Sequence, residues 1–273
     1  MTAKTKGRIG GWSLIALVAL SLGYPLLARV PSVPACPLGS DPSFPAASIC
    51  ARTFGGMWRS ILIGLSAGLG SCAIALFLAL FARRLRGVTD TLVAKSADLF
   101  FALPDILVLI AIGFVVNVLN TQGGRHISPM MAMIVSLTAV GWAAPARQIQ
   151  NRLRSLEGQE FVLASEALGA TRTRILIQHL LPAAREFVFA IFLLRVPAVI
   201  LAESTVSFLG FGLPADQPSL GAFLGTNYDK LMYSGEMHVV LPAWILLGLV
   251  VLSFQWTGQA VLARSGTRQG PGS

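Results

Sequence analysis

Hydrophobic residues fall along this chain in six runs, at about 12–28, 57–81, 96–118, 129–147, 187–208 and 239–262. At 1.5 Å per helical residue, runs of this length cross a bilayer core of about 30 Å. The pattern predicts an all-α integral membrane protein with six transmembrane helices and both ends on one side. The first run follows Lys4, Lys6 and Arg8. It is long for the apolar core of a signal peptide, shows no small-x-small site before Arg29 and is followed by further runs, so it reads as the first membrane helix. Segment 1–29 is then an N-terminus with that helix, 30–55 a loop rich in Pro, Ser, Ala and Gly, 56–265 the transmembrane domain and 266–273 a short tail.

One connection, 148–182, interrupts the hydrophobic pattern at length. From Glu160 the residues favour helix, and Phe161, Ala164, Ser165 and Leu168 fall at i, i+3, i+4 and i+7 on one stripe, with Ala167 beside it. Gly169 follows where a helix end favours a left-handed residue. A second helical run, Arg172 to Leu181, carries Ile175, Leu176, Leu180 and Leu181 before Pro182 ends it or opens the next helix. A helix lying on lipid would set a broad apolar face against many cations. Glu160 to Gly169 has one aromatic and neither Lys nor Arg, which suits docking to a protein.

Charge orients the chain. Fifteen Lys and Arg lie in the N-terminus, the connections near 83–95 and 147–185 and the C-terminus, against five in the remaining connections. The positive-inside rule places the first set in the cytoplasm, and 148–182 with it. The net charge of +9 therefore reports topology and implies no nucleic-acid partner. Composition agrees: 54% hydrophobic, 12% charged and mean hydropathy +0.70 lie far from a soluble globular protein. Cys36 and Cys50 share the 30–55 loop, where pairing and free thiols are equally open, and Cys72 reads as a small core residue.

Polar groups inside the runs are candidate function. Asp98 and Asp105 bracket Pro104, and the fifth run holds Arg195, Pro197, Glu203 and Ser207. A charge at a helix centre costs about 2.5–3.5 kcal/mol on insertion scales, so Arg195 must face protein or water. Pro197 should kink its helix. Arg195 and Glu203 share a face but stand about 12 Å apart along the axis. That face lines a translocation path or bridges to neighbouring helices. Gly64 and Gly68 form a GxxxG pair for close helix approach.

Two blocks resemble a known family, the membrane-spanning permease subunits of ABC importers, in the branch that handles peptides, opines and nickel. In the first, Leu163-Ala164-Ser165, three residues, Gly169 and later Leu181-Pro182 resemble the family's Glu-Ala-Ala loop. Ala167-Leu168-Gly169-Ala170 and His179-Leu180-Leu181-Pro182 follow its peptide branch. Leu163 stands in place of the family's Glu and Ser165 in place of its second Ala. In the second, Glu203-Ser204, Ser207-Phe208-Leu209-Gly210-Phe211-Gly212 and Ser219-Leu220-Gly221 resemble Glu-x-x-Leu-Ser-Phe-Leu-Gly-Leu-Gly and Ser-Trp-Gly, without the Trp. The Gly and Pro residues after 209 predict a structured external loop suited to receiving a docked binding protein.

The resemblance implies a dipeptide or oligopeptide permease subunit of the C type. Its coupling helix would dock on a separate ATPase through Glu160, Phe161, Ala164, Ser165, Ala167, Leu168, Gly169, His179 and Pro182. The translocation path would be carried by Arg195, Pro197, Glu203, Ser207 and Asp105. Implied partners are a second homologous permease, two ATP-binding subunits, an extracytoplasmic substrate-binding protein and the lipid of a bacterial inner membrane. Nickel chelates, opines or another small solute are alternative cargoes, and a secondary transporter or channel is the alternative class. No phosphate-binding G-x-x-x-x-G-K-[ST] occurs. The three His lack Cys at ligand spacing, and no nucleophile elbow is present. The chain is expected to be non-catalytic, without cofactor or metal, with ATP and Mg on its partners.

Overall fold

The structure, a computed structural model, describes residues 3–27, 46–85, 87–102, 104–122, 127–214, 219–229, 233 and 237–267. These residues form helices and short connections, and no strand occurs among them. The chain runs α1 (Ala3–Leu27), α2 (Ala46–Leu85), α3 (Val88–Ala102), α4 (Asp105–Gln122), α5 (Pro129–Val140), α6 (Ala143–Glu157) and α7 (Glu160–Ala167). It continues through α8 (Arg172–Ile175), a π-helical turn (Leu176–Leu180), α9 (Leu181–Phe208), α10 (Leu220–Thr226) and α11 (Met237–Thr267). Helix α2 starts at Ala46, inside the segment expected to be loop. Cys36 and the side chain of Cys50 lie outside the described residues.

Three helices are long and apolar enough to span a membrane: Arg52–Leu85, Arg172–Phe208 and Val239–Ser265. Two broken pairs bring the number to five if each is one span. The third hydrophobic run, expected as a continuous helix, bends by 76° between α3 and α4. Pro104 cannot donate a helical bond, and its carbonyl instead accepts from Leu107 at 2.9 Å and Val108 at 3.4 Å, starting the new helix. The fourth run bends by 41° between α5 and α6, where the amide of Gly141 closes α5 on the Leu137 carbonyl at 3.0 Å. Helix α1 adds a shorter apolar stretch, Gly7–Ala19.

Pro182 gives no break. Residues 172–208 are one helix of 37 residues, with Pro182 in the first turn of α9. The π turn immediately before it widens the helix where the proline ring would crowd the preceding carbonyls.

Small residues fix how the long helices meet. Gly7, Gly10 and Ser13 make one face of α1, laid antiparallel on α11. A Cβ on Gly7 would lie 2.6 Å from Ala260 Cβ and one on Gly10 2.7 Å from Thr257 Oγ1, while the Ser13 and Ser253 hydroxyls share a hydrogen bond of 2.7 Å. The Gly64/Gly68 pair of α2 receives α9 as its spacing predicts: a Cβ on Gly64 would sit 2.6 Å from Ile200, and one on Gly68 3.3 Å from Val196. Without apolar solvent exclusion to drive them, membrane helices gain from such close van der Waals contact.

The core has three parts. One joins α1, α2, α9, α10 and α11 around Met57, Ile61, Ile200 and Phe254. A second gathers α2, α3 and α6 to α9 around Ile149, Leu153, Val162 and Leu180. The third lies between α2, α4, α5 and α9, around Ile63, Leu137 and Val199.

Candidate functional site

At one end of the molecule α7 projects as a short, sparsely anchored helix. Val162 is its buried residue and packs with Leu153, Leu156 and Ile175. Glu160, Phe161, Leu163, Ala164, Ala167 and Leu168 are exposed, Leu168 to 88%. Ser165 is half-buried and its hydroxyl donates to the Phe161 carbonyl at 2.8 Å, as serines within helices do. The helix ends as the glycine predicts: Gly169 takes φ +75°, its amide bonds to the Glu166 carbonyl at 3.0 Å and the Ala170 amide to the Ser165 carbonyl at 3.1 Å. These are the two bonds of a Schellman cap. His179 is half-buried in the π turn and Pro182 is exposed. The stripe of Phe161, Ala164 and Leu168 therefore faces outward with its apolar surface bare.

Beneath α7 lies an ionic cluster whose members the sequence reading took only as topology signals or did not single out. Arg83 near the end of α2 donates from Nε to Glu157 Oε1 at 3.0 Å and pairs through Nη2 with Glu157 Oε2. Its Nη1 reaches Asp90 Oδ2 at 3.1 Å, and Arg154 Nη2 reaches the same oxygen at 2.8 Å. Glu157 is the last residue of α6, so this cluster ties the root of α7 to α2 and α3. Periodicity carries no trace of it, because its four members come from three helices. A second pair, Arg147 with Asp98 at 2.6 Å, also joins α6 to α3, but both side chains are half exposed. That pairing gives Asp98 a structural partner.

Between α4, α5 and α9, Arg195 and Asp105 line one cleft of about 390 Å³ that opens at the exposed Asp105, Ile106, Leu201 and Thr205. Its other walls include Ile106, Leu109, Leu137, Val140, Leu201 and Thr205. Arg195 and Asp105 also share a smaller neighbouring pocket with Phe100, Gly141 and Ala144. Gly141 seats the arginine: a Cβ there would collide with its guanidinium.

Glu203, eight residues on, does not face that cleft. It is fully buried and accepts hydrogen bonds from Ser207 at 2.7 Å, Ser60 at 3.2 Å and Ser204 at 3.4 Å. Ser207, 4% exposed, accepts in turn from the Leu213 amide at 3.2 Å, and Ser60 from the Leu220 amide at 3.2 Å. Glu203 and Ser207 thus tie the returning loop to α2 and α9, and Pro197 is packed inside α9's buried face. Of the five residues expected along a path, the structure brings Arg195 and Asp105 together and sets the other three in protein packing.

That loop is structured, as the glycines and prolines after 209 predict. Helix α9 closes at Gly210, φ +84°, with the same pair of cap bonds as α7, Gly210 to Ser207 and Phe211 to Val206 at 3.1 and 3.0 Å. Ser219 then caps α10 by accepting from the Ala222 amide at 3.1 Å. Leu220 to Leu224 are all buried. Gly221 and Gly225 let α10 press on α9: a Cβ on Gly225 would come within 2.5 Å of the Phe208 carbonyl, and one on Gly221 would strike the Ser204 backbone. Sequence reading passed over Gly225, though its GxxxG spacing to Gly221 was visible. Leu209, Phe211, Tyr228 and Tyr233 remain exposed at this end.

Comparison with known proteins gives consistent matches. Residues 71–267 match the family described as binding-protein-dependent transport system inner membrane component. The chain is 31% identical over 185 residues to the oligopeptide transport system permease protein OppC of Bacillus subtilis, covering 68% of this chain and 57% of that one. It is 25% identical over 214 residues to the dipeptide transport system permease protein DppC of Lactococcus lactis, covering 78% and 59%. This chain thus spans less than two thirds of the length of either relative. Among solved structures, the inward-facing MetNI methionine ABC transporter aligns with a TM-score of 0.64 at 20% identity, over 83% of this chain and 99% of that one. That likeness concerns the fold. With a transmembrane helical bundle and a family match over most of its length, the chain belongs to the family of binding-protein-dependent transport system inner membrane components.

Proposed function

We propose that this chain is a transmembrane permease subunit of an ATP-driven ABC importer and forms half of the translocation path for di- or oligopeptides delivered by an extracytoplasmic binding protein. It sits in a bacterial inner membrane as six spans, α1, α2, α3–α4, α5–α6, α9 and α11, with both termini cytoplasmic. It catalyses no reaction and binds no cofactor. ATP and Mg belong to two separate ATPase subunits, and a second homologous permease completes the path. The peptide cargo rests on the relatives named oligopeptide and dipeptide permeases.

The observation that carries this reading is α7: a helix with a bare outward face of Phe161, Ala164 and Leu168, held by Val162 to the base of the 37-residue helix 172–208. Leu163, in place of the family's Glu, adds to the exposed apolar surface. Such a helix transmits a push only if something grips its face, and an ATPase groove is that partner. When ATP closes the ATPase pair, α7 and its partner's equivalent are drawn together, and helix 172–208 moves with them. The two halves then rock from inward-open to outward-open.

Affinity purification of the chain from native membranes tests the reading. Co-purifying ATPase subunits and a second permease, with ATP hydrolysis stimulated by a peptide-loaded binding protein, are expected. A chain that runs alone and drives uptake on an ion gradient would belong to the alternative class of secondary transporter, and stimulation by nickel chelates or opines in place of peptides would change the cargo.

A further inference from the structure

The Arg195–Asp105 cleft holds two opposite charges that do not use each other. Among the described residues neither side chain makes an ion pair, and Arg195 Nε is buried with no hydrogen-bond partner. The field of Asp105 reaches the guanidinium, yet no ion pair within 4.0 Å forms between the two, and both line the same cavity. A charge inside a membrane helix is costly, and a direct pair would offset that cost most simply. A site that keeps both charges separated and unpaired is built for something placed between them.

The remaining walls limit what that is. Ile106, Leu109, Leu137 and Leu201 make one side apolar. The hydroxyl of Thr205 is already bonded to the Leu201 carbonyl at 2.8 Å. A volume of about 390 Å³ is in the range of small-molecule sites, about 300–1,000 Å³, and near its lower end. Gly141 leaves the notch into which the guanidinium fits.

We propose that this cleft binds a small zwitterion end to end, its carboxylate on Arg195 and its ammonium on Asp105, with an apolar body along α4 and α5. A short peptide with two free termini has this chemistry. A chelate whose ligand carries carboxylates and no free ammonium would engage Arg195 and repel Asp105. The permease itself then reads both termini, in addition to whatever the binding protein selects. This inference deepens the peptide-importer reading and rests on it. The arginine fork grips a carboxylate through two parallel hydrogen bonds, so blocking that end should be felt strongly.

The test uses the purified importer complex without its binding protein, titrated with dialanine, with dialanine amide, which has no carboxylate, and with N-acetyl-dialanine, which has no ammonium. Binding is read as a ligand-dependent rise in melting temperature and by calorimetry. Dialanine is expected to bind, and each blocked form to bind about 10- to 100-fold more weakly. Arg195→Lys should weaken dialanine binding and leave rejection of the amide in place, whereas Arg195→Gln should abolish that rejection. Because the blocked ligands are compared on the unaltered complex, loss of folding in a variant does not decide the outcome. Equal binding of all three ligands, or no binding by a complex that still imports peptides with its binding protein, would overturn the inference. A complex that imports no peptide at all, whatever the cleft binds, would overturn the peptide reading itself.

Discussion

The Ser60 hydroxyl stands between Glu203 and the returning loop, donating to Glu203 Oε2 at 3.2 Å and accepting from the Leu220 amide at 3.2 Å. One residue of α2 thereby sets the distance between α9 and the start of α10. Ser207 repeats the arrangement between Glu203 and Leu213. The carboxylate is the common acceptor for both relays.

Removing that acceptor should loosen the loop without unfolding the bundle. Glu203→Ala is expected to cost on the order of 2–3 kcal/mol, since a buried donor left without a partner costs about 1–3 kcal/mol and the serines recover part of this by turning to their own helix carbonyls. Glu203→Gln, which keeps one carbonyl acceptor, should cost less. Limited proteolysis within 209–219 and thermal melting of the purified complex would measure the order Ala above Gln, and equal protease resistance in all three would remove Glu203 from this role.

Gly169 offers a test in which conformation is separated from crowding. A Cβ there meets nothing within 4 Å, but its φ of +75° is strained for any side chain. Gly169→Val should cost about 1–2 kcal/mol locally and disorder the α7–α8 turn, whereas Gly169→Asn should be tolerated. Uptake assays with membrane insertion monitored in parallel are expected to show lost transport for Val at normal abundance. Wild-type uptake by the Val variant would mean that the cap is dispensable.

The two ionic links that α6 makes, Glu157 to α2 and Arg147 to α3, should behave differently. Arg83 and Glu157 are 10% and 17% exposed, and a double-mutant cycle on them should give a coupling of about 1–3 kcal/mol that changes little with salt. Arg147 and Asp98 are 51% and 54% exposed, so their coupling should be about 0–1 kcal/mol and fade as salt rises. Melting of the four single and two double variants at low and high ionic strength makes the comparison.

At the crossing of α2 and α9, Gly64 lies against Ile200. Gly64→Ala should overpack the contact by about 1–3 kcal/mol, and adding Ile200→Ala should recover part of that loss by making room. A double variant less stable than the sum of the singles would show that the glycine serves something other than close approach.

The helical class, the Gly64/Gly68 contact and the cap at Gly169 could all be read from the sequence, because each is written locally in hydropathy, spacing or a single special residue. The bends at Pro104 and Gly141 escaped, since a hydrophobic run long enough to span looks the same whether straight or broken. Pro182 could be read as ending one helix or opening the next, and it stands in the first turn of α9, with the π turn before it keeping the helix continuous. Arg195 and Asp105 were visible as intramembrane charges, but only the packing of α4 against α9 puts them on one cleft. Glu203 looked like their companion by helical spacing. Its burial among Ser60, Ser204 and Ser207 depends on where α2 and α10 fall, and a neighbouring helix leaves no signature in the spacing of α9.

The uninterrupted helix from Arg172 to Phe208 has a mechanical corollary. At 1.5 Å per residue it is a strut about 55 Å long, well beyond the bilayer core of about 30 Å. A tilt of about 5° about its middle carries the two ends about 2 Å in opposite directions, by simple trigonometry on that length. Pivoting as one body, inward travel at Arg172, beside α7, would be outward travel at Phe208, where Glu203 and α10 are fastened, with Arg195 close to the fulcrum. In the proposed importer, if this helix moves as one body, opening one mouth and shutting the other would be a single see-saw stroke, with the charged cleft near the point that moves least.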